Sequence, residues 1–309
     1  MTLLGLVTLD PGYRYHGTVV GTASRAVLVT GCSSGIGHAT AGLLARAGWP
    51  VYATARRPER LQGLADIGCR VLALDVTDDD SMGRAVAAVE KDHGAVGVLV
   101  NNAGFSQSGA MEAVPMASVR RQFETNVFGP VRLAQLVLPA MRAQGWGRVV
   151  NIGSMGGRLT FPGGGYYHAT KYAMEALSDA LRFEVAGFGV DVILVEPGFI
   201  RSRFSEVAAS SLAGAPAPTA ADDPYRAFNE RLIASTRDVY DRGPLARLAG
   251  SPDDVANVVL EAVTAERPKA RYPVTASARV LLGLRRLLPD RAWDRFLAGQ
   301  FVQPGRRRG

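Results

Sequence analysis

The sequence predicts a doubly wound α/β domain, a parallel sheet of about seven strands with helices on both faces. Three observations lead there. Short apolar runs alternate with longer runs whose apolar residues recur at helical spacing. The short runs are almost unbroken by polar residues, as strands covered on both faces must be. A glycine-rich turn separates the first such run from the first helical one. The chain has 309 residues, enough for one large α/β domain with a full core.

Residues 1–24 show no periodicity and several turn formers, and read as an N-terminal tail. The catalytic domain is expected over 25–275. Ala26-Val27-Leu28-Val29 is its first strand, and a helical pattern runs from His38 to Ala47. Between them lies Thr30-Gly31-Cys32-Ser33-Ser34-Gly35-Ile36-Gly37. Glycines there let the backbone approach a pyrophosphate, and the helix N-terminus supplies N–H donors and partial positive charge. Gly31, Ser33, Ser34, Gly35, Ile36 and Gly37 are therefore candidate cofactor contacts.

The second strand is Pro50 to Ala55. In this arrangement its end faces the adenosine ribose, where a carboxylate would bind the 2′-hydroxyl of NAD. Ala55 stands there instead, followed by Arg56 and Arg57. Guanidinium groups suit a 2′-phosphate, so the expected cofactor is NADP(H) rather than NAD(H). A short helix, Glu59 to Ile67, leads to the third strand, Arg70 to Leu74. Asp75-Val76 closes it, with a carboxylate placed to accept from an adenine amino group. Ser81 to Asp92 reads as a helix and Val96 to Val100 as the fourth strand. Asn102-Ala103-Gly104 follows, small residues and an amide beside which a cofactor passes.

Ser118 to Met141 has one long helical pattern, with Asn126 polar inside an apolar stretch and a kink expected at Gly129-Pro130. Asn126 is either a satisfied core amide or the holder of a water near Lys171. The fifth strand, Arg148 to Ile152, ends at Gly153-Ser154. A helical run from Tyr172 to Ala186 follows Tyr167-His168-Ala169-Thr170-Lys171. On a helix, Tyr167 and Lys171 share one face, one turn apart. A free phenol has a pKa of about 10, and a nearby ammonium pulls it down. Lys91, Lys171 and Lys269 are the only lysines in a chain that otherwise uses arginine, and a guanidinium does not replace a primary ammonium. Ser154 is placed to hydrogen-bond a reacting carbonyl oxygen. The bland alternative is a surface tyrosine and a solvated lysine.

The sixth strand, Val190 to Val195, closes with Glu196-Pro197-Gly198-Phe199-Ile200-Arg201-Ser202. The Pro197-Gly198 turn would bring backbone amides to a nicotinamide carboxamide, with Ile200 and Ser202 beside it. A substrate lid is expected over about 199–248, where an Ala/Ser/Pro segment precedes a charged helical run, Pro224 to Tyr240. Ser251-Pro252 starts a further helix, and Arg271 to Val274 is the last strand. Residues 276–309 form a basic, amphipathic extension interrupted by Pro289.

The net charge of +7 sits partly in Arg306-Arg307-Arg308. No basic face with aromatic or groove-reading elements accompanies it, so nucleic-acid binding is not expected. Cys32 and Cys69 match no metal or redox spacing, and no metal site is expected. No run is long and apolar enough to span a bilayer, and the N-terminus lacks a secretory pattern. A cytoplasmic protein is expected, and the extension reads as a helix docked on the core or at a subunit contact ahead of one in weak membrane-surface contact.

Thr30-Gly31-x3-Gly35-x-Gly37, Asp75, Asn102-Ala103-Gly104, Asn126, Ser154, Tyr167-x3-Lys171 and Pro197-Gly198 together resemble the classical short-chain dehydrogenases/reductases, over about residues 26–275. The second strand and the basic extension are similar to the hydroxysteroid and retinol dehydrogenase branch. The resemblance implies a single Rossmann domain and an oxidoreductase interconverting a hydroxyl and a ketone or aldehyde on a hydrophobic substrate. Tyr167 would exchange a proton with the substrate oxygen, and Ser154 would polarise the carbonyl. Lys171 would lower the tyrosine pKa and bind the nicotinamide ribose, and Asn126 would hold a water in the proton relay. It further implies a homodimer or homotetramer joined through long helices. Ser202 replaces the family's frequent threonine but keeps the hydroxyl. Tyr166 has Thr170 four residues on, the wrong partner. A catalytically silent NADP-binding sensor on the same fold is the competing reading.

Overall fold

A computed structural model describes residues 23–202, 224–241 and 247–304. Seven parallel strands form one sheet in the order β3-β2-β1-β4-β5-β6-β7. They are β1 Val27–Val29, β2 Val51–Ala55, β3 Arg70–Ala73, β4 Val98–Asn101, β5 Gly147–Ile152, β6 Val190–Pro197 and β7 Arg271–Val274. This is the doubly wound, Rossmann-like sheet that the alternation of apolar and amphipathic runs predicts. After β3 the chain returns to the other side of β1, so the strand order reverses between β1 and β4. Loops leaving those two strands part there and open a crevice at the C-terminal edge.

Alternate residues of each strand feed opposite faces. Val27 and Val29 join one core with α1 (Gly35–Arg46) and the helix Pro252–Thr264. Ala26 and Leu28 join the other, with α3 (Asp79–His93) and the helix Gly129–Ala143. Both faces of every central strand are thus dry, which explains the absence of polar alternation in the sequence. Short α2 (Gln62–Ala65) follows a 3-10 turn, Pro58–Leu61, where one helix from Glu59 to Ile67 is expected. The chain's start and most of the lid, 203–223 and 242–246, lie outside the described residues.

Three elements bear on the site, and the first two differ from expectation. The long helix expected over Ser118 to Met141 is two helices, α4 (Met116–Phe123) and α5 (Gly129–Ala143), joined by a π turn, Glu124–Phe128. The irregularity falls one turn before Pro130, and Asn126 sits inside it. The helix expected to start at Tyr172 is α6, Gly165–Val185, so Tyr167 and Lys171 occupy its first two turns.

The third is the C-terminal extension. It folds as α9 (Ala276–Leu287) and α10 (Asp290–Gln300), broken at Pro289, after α7 (Arg226–Asp241) and α8 (Pro252–Thr264). Its Ala278, Leu281 and Trp293 pack on Met155 and Leu159, just beyond β5. The apolar stripe is covered by the protein body, the docked reading rather than the membrane-surface one, leaving Val280 and Leu287 as its exposed large apolar side chains among the described residues. Among the described residues no helix is long and apolar enough to cross a membrane.

Candidate active site

The ends of β1, β4, β5 and β6 deliver the predicted residues to one edge of the sheet. Gly31 to Gly37 leaves β1 and enters α1. Ser34 is the N-cap of α1, but its side chain makes no capping hydrogen bond, and the first turn holds no carboxylate. The leading amides of α1 are therefore left for an anion. Thr30 and Asn102 brace the loop. Thr30 Oγ1 accepts from Asn102 N at 2.9 Å and Ala103 N at 3.0 Å, while Asn102 Nδ2 donates to Thr30 O at 2.8 Å and Gly31 O at 3.2 Å. That amide fills the space beside Gly37, where a Cβ would overlap it. The sequence motif begins at Thr30 but gave it no role; its place at the strand end was the available signal.

Arg56 and Arg57 are exposed at the end of β2. Neither guanidinium has an acidic partner among the described residues. Asp75 Oδ1 accepts from Thr77 N and Oγ1, at 3.0 and 2.8 Å. One oxygen of the expected adenine acceptor is thereby committed to its own turn. Val76 is buried against Gly129. Gly104 approaches Asn126, whose Oδ1 lies 3.2 Å from where a Cβ would stand.

Asn126 is 2% exposed and fully engaged. Its Oδ1 accepts from Phe105 N at 3.1 Å, and its Nδ2 donates to Phe105 O at 2.9 Å and Thr170 Oγ1 at 3.2 Å. Of the two sequence readings, the satisfied core amide is the one its side chain adopts, and no amide hydrogen remains for a water. The π turn around it departs from the regular helical hydrogen-bond ladder, as such turns frequently do at functional sites.

Ser154 ends β5 as N-cap of the 3-10 turn Met155–Gly157, with its Oγ accepting from Gly156 N at 3.0 Å. The hydroxyl hydrogen is left to donate elsewhere. His168, next to Tyr167, ties this turn to α6. Its Nε2 accepts from Phe161 N at 3.2 Å, which makes Nδ1 the N–H that donates to Gly156 O at 3.0 Å. Burial holds the imidazole below its usual pKa and keeps it neutral.

Lys171 is buried in α6, and its Nζ donates to Ile152 O at 2.7 Å and lies 5.8 Å from the centroid of the Tyr167 ring. Burial pulls its pKa down to about 8, against the upward pull of Glu175. An ammonium so placed is neither solvated nor ion-paired on the surface, which removes the bland alternative for the lysine. Tyr166 points elsewhere, its hydroxyl donating to Met111 O at 3.2 Å. Ser202 stands across from the glycine loop, its Cβ 3.8 Å from a Cβ placed on Gly35, and Ile200 is buried beside Gly250. Pro197 ends β6 and Gly198 N donates to Val274 O at 3.1 Å.

Near this edge lies an aromatic cluster. The ring of Phe161 is 6.3 Å from Phe199, 6.4 Å from Trp293 and 6.3 Å from Phe301. Phe228 and Leu232 of α7 are buried with Ala110. Cys32 is buried in the glycine loop and its thiol is pushed up to about 12, so it is no nucleophile. Among the described residues no group of three or more metal-binding side chains occurs.

The residues present fit a dinucleotide. Among the described residues the α1 amides have no side-chain cap and the guanidiniums of Arg56 and Arg57, just after β2, have no acidic partner, while the loop is held open at Gly31 and Gly37 by Asn102. Comparison with known proteins agrees. The family model for short chain dehydrogenase matches residues 25–212. The chain is 37% identical over 277 residues to the uncharacterized oxidoreductase YbbO of Escherichia coli (strain K12), covering 89% of this chain and 94% of that protein. It is 34% identical over 281 residues to an NADPH-dependent 3-dehydrocapnine reductase of Ornithobacterium rhinotracheale, covering 88% and 95%. A crystal structure of a short-chain dehydrogenase from Streptomyces avermitilis superposes with a TM-score of 0.70 at 34% identity, covering 90% of this chain and 99% of that one.

Proposed function

The chain belongs to the short-chain dehydrogenase family, and from that premise we propose an NADP(H)-dependent oxidoreductase that interconverts a hydroxyl and a ketone or aldehyde on a hydrophobic substrate. The observation that carries this reading is the buried lysine of α6, fixed on Ile152 O one helical turn from Tyr167. Its charge favours the phenolate and brings the tyrosine toward neutral titration. Tyr167 then exchanges a proton with the substrate oxygen. Ser154, whose oxygen already accepts from Gly156 N, donates its hydroxyl hydrogen to that same oxygen. Nicotinamide, when bound, supplies or takes the hydride.

Lys171 spends one of its three hydrogens on Ile152 O. The others are available to the nicotinamide ribose and the proton relay. The relay water is assigned to the backbone of the π turn at Asn126, since the side chain is committed. Gly31, Ser33, Ser34, Gly35, Ile36 and Gly37 take the pyrophosphate, and Asn102, Ala103 and Gly104 flank it. Asp75 and Val76 border the adenine, with the second carboxylate oxygen as acceptor. Pro197, Gly198, Ile200 and Ser202 take the carboxamide. Arg56 and Arg57 favour the 2′-phosphate, and a relative whose name specifies NADPH supports the same choice. The aromatic cluster around Phe161 supports an apolar substrate. Association through the exposed apolar face of α6 completes the reading.

Turnover of a panel of long-chain and cyclic ketones with NADPH, by wild type and Tyr167→Phe, tests it. Wild-type turnover that disappears in the variant while NADPH still binds is the expected result. Retained turnover in the variant would remove Tyr167 from the chemistry. NADPH binding without turnover of any panel member by wild type would favour the silent sensor.

A further inference from the structure

Behind Lys171 lies a cluster of buried charge that the mechanism above does not use. Glu175 follows the lysine by one turn on the same face of α6. It is 8% exposed, and Glu196 at the end of β6 is 0% exposed. Both carboxyls converge on one nitrogen: Arg271 Nε lies 2.9 Å from Glu175 Oε2 and 3.7 Å from Glu196 Oε1. A single N–H cannot satisfy two carboxylates. The other ends of the cluster are already engaged. Arg271 Nη2 donates to Asp179 Oδ2 at 2.6 Å, and Asp179 also holds Arg182. Arg158, half exposed, stands 3.4 Å from both oxygens of Glu196. Glu175 Oε1 is buried with no donor at all.

An acceptor without a donor, beside a second carboxyl, is the arrangement in which one proton is shared between the two. Burial and the neighbouring Glu196 charge push Glu175 above the usual carboxylate range, in keeping with that sharing. The lysine has the opposite problem. Its ammonium is desolvated, and the first carboxyl on its own helix face is Glu175, one turn on and beyond direct ion-pair distance. Tyr167 and His168 face it from the preceding turn of α6, and Glu196, Arg271 and Arg158 lie beyond Glu175 from β6, β7 and the turn after β5.

We propose that Glu175 is the counter-charge of Lys171, a positioning residue whose carboxylate holds the buried lysine in its ammonium form. Glu196 and Arg271 govern how much of that carboxylate is present. The charge that acidifies Tyr167 is then set two turns away from the phenol, by a carboxyl that touches neither substrate nor cofactor. This rests on the reading of Lys171 given above, but its test does not need turnover.

The three lysines make the test direct. Protein labelled with ¹³C at lysine Cε gives signals from Lys91, Lys171 and Lys269, with Lys171 assigned by its absence in Lys171→Met. Wild type, Glu175→Gln and the control Asp179→Asn are titrated by NMR. The glutamine keeps the shape and offers an N–H to Glu196, so the fold is expected to hold. Glu175→Gln should lower the Lys171 midpoint by about half a pH unit or more and leave Lys91 and Lys269 where they are. Asp179→Asn should move Lys171 less. An unchanged Lys171 midpoint in folded Glu175→Gln overturns the proposal. Should that variant not fold, wild type labelled also at glutamate Cδ decides. Lys171 and Glu175 must then each show an inflection at the other's midpoint, and two independent single-step curves overturn it. Retained turnover in Tyr167→Phe would leave this titration untouched, so the two readings fail separately.

Discussion

The hydroxyl oxygens of Thr275 and Ser277 lie 2.8 Å apart, at the point where the C-terminal helices leave the sheet. Together they close over Gly198, leaving no room there for a Cβ. Ser277 Oγ accepts from Phe199 N at 3.0 Å, and Thr275 Oγ1 caps α9 by accepting from Ala278 N at 3.3 Å. Thr275 reaches this position with φ 80° and ψ 156°, a region normally left to glycine. The extension is thus fastened to the turn assigned to the nicotinamide, through a strained residue.

That fastening makes an ordered prediction. Ser277→Ala removes the hydroxyl to which the Phe199 amide donates and should cost about 1 kcal/mol, with weaker NADPH binding. Thr275→Ala and Thr275→Gly both lose the cap, but only glycine also relieves the backbone. Denaturant melts should therefore find Thr275→Gly more stable than Thr275→Ala by about 1 kcal/mol. The reverse order would show that the threonine backbone is not strained.

The proposed preference for NADPH rests on Arg56. With no carboxylate at the end of β2 and no acidic partner for the guanidinium among the described residues, its charge is available to a phosphate. Arg56→Ala should weaken NADPH binding by roughly 10- to 100-fold, the worth of a charged hydrogen bond. NADH binding should change little. Fluorescence titration of both nucleotides checks this, and equal losses would remove Arg56 from 2′-phosphate recognition.

The sheet was readable because its strands are buried on both faces, so apolar runs and strands coincide. Tyr167, Lys171 and Ser154 stood out in the sequence because the proposed chemistry constrains residue type and spacing together. Other features had no such signal. The π turn at Glu124–Phe128 adds one residue to a turn without changing the apolar pattern, so Asn126 looked like part of a continuous helix. The start of α6 was hidden by Gly163-Gly164-Gly165, a helix-breaking sequence. Packing overrides propensity there, because a Cβ on Gly164 would crowd His168 at 2.9 Å and one on Gly165 would crowd Met111 Sδ at 2.7 Å. The extension's stripe was visible, but periodicity does not say what covers a stripe. Glu175 was overlooked although its spacing of four from Lys171 placed it on the same face.

Glu175 also gives stability a pH dependence of fixed sign. Its pKa rises from 4.5 to about 7 on folding, mainly through burial. The folded protein then binds the extra proton between those values. This group's stabilisation is complete below pH 4.5 and lost as pH rises through 7. Glu175→Gln removes the titration. The stability of the variant relative to wild type should therefore increase between pH 4.5 and 7, by on the order of 2 kcal/mol. Urea melts at several pH values measure it. A difference that stays flat across that window would mean that Glu175 titrates normally.

The outer face of α6 carries the last prediction. Ala169, Tyr172, Ala176, Ala180 and Phe183 fall at helical spacing and are all exposed, Phe183 by 90% and Tyr172 by 43%. A solvent-facing helix stripe is ordinarily polar, and an exposed apolar stripe of this length marks an interaction surface. Its self-complementary partner is the same stripe on a second copy, since a two-fold contact pairs one patch with itself. In such a contact the alanines at 176 and 180 would allow the two helices close approach, with the aromatic ends packed over each other. Wild type should elute as a dimer or larger assembly in size-exclusion chromatography with light scattering. Phe183→Asp would place two carboxylates in that contact and should shift the protein to a lower assembly state, with its thermal transition still cooperative. A wild-type monomer at micromolar concentration, or a variant of unchanged mass, would rule out this face as the subunit contact.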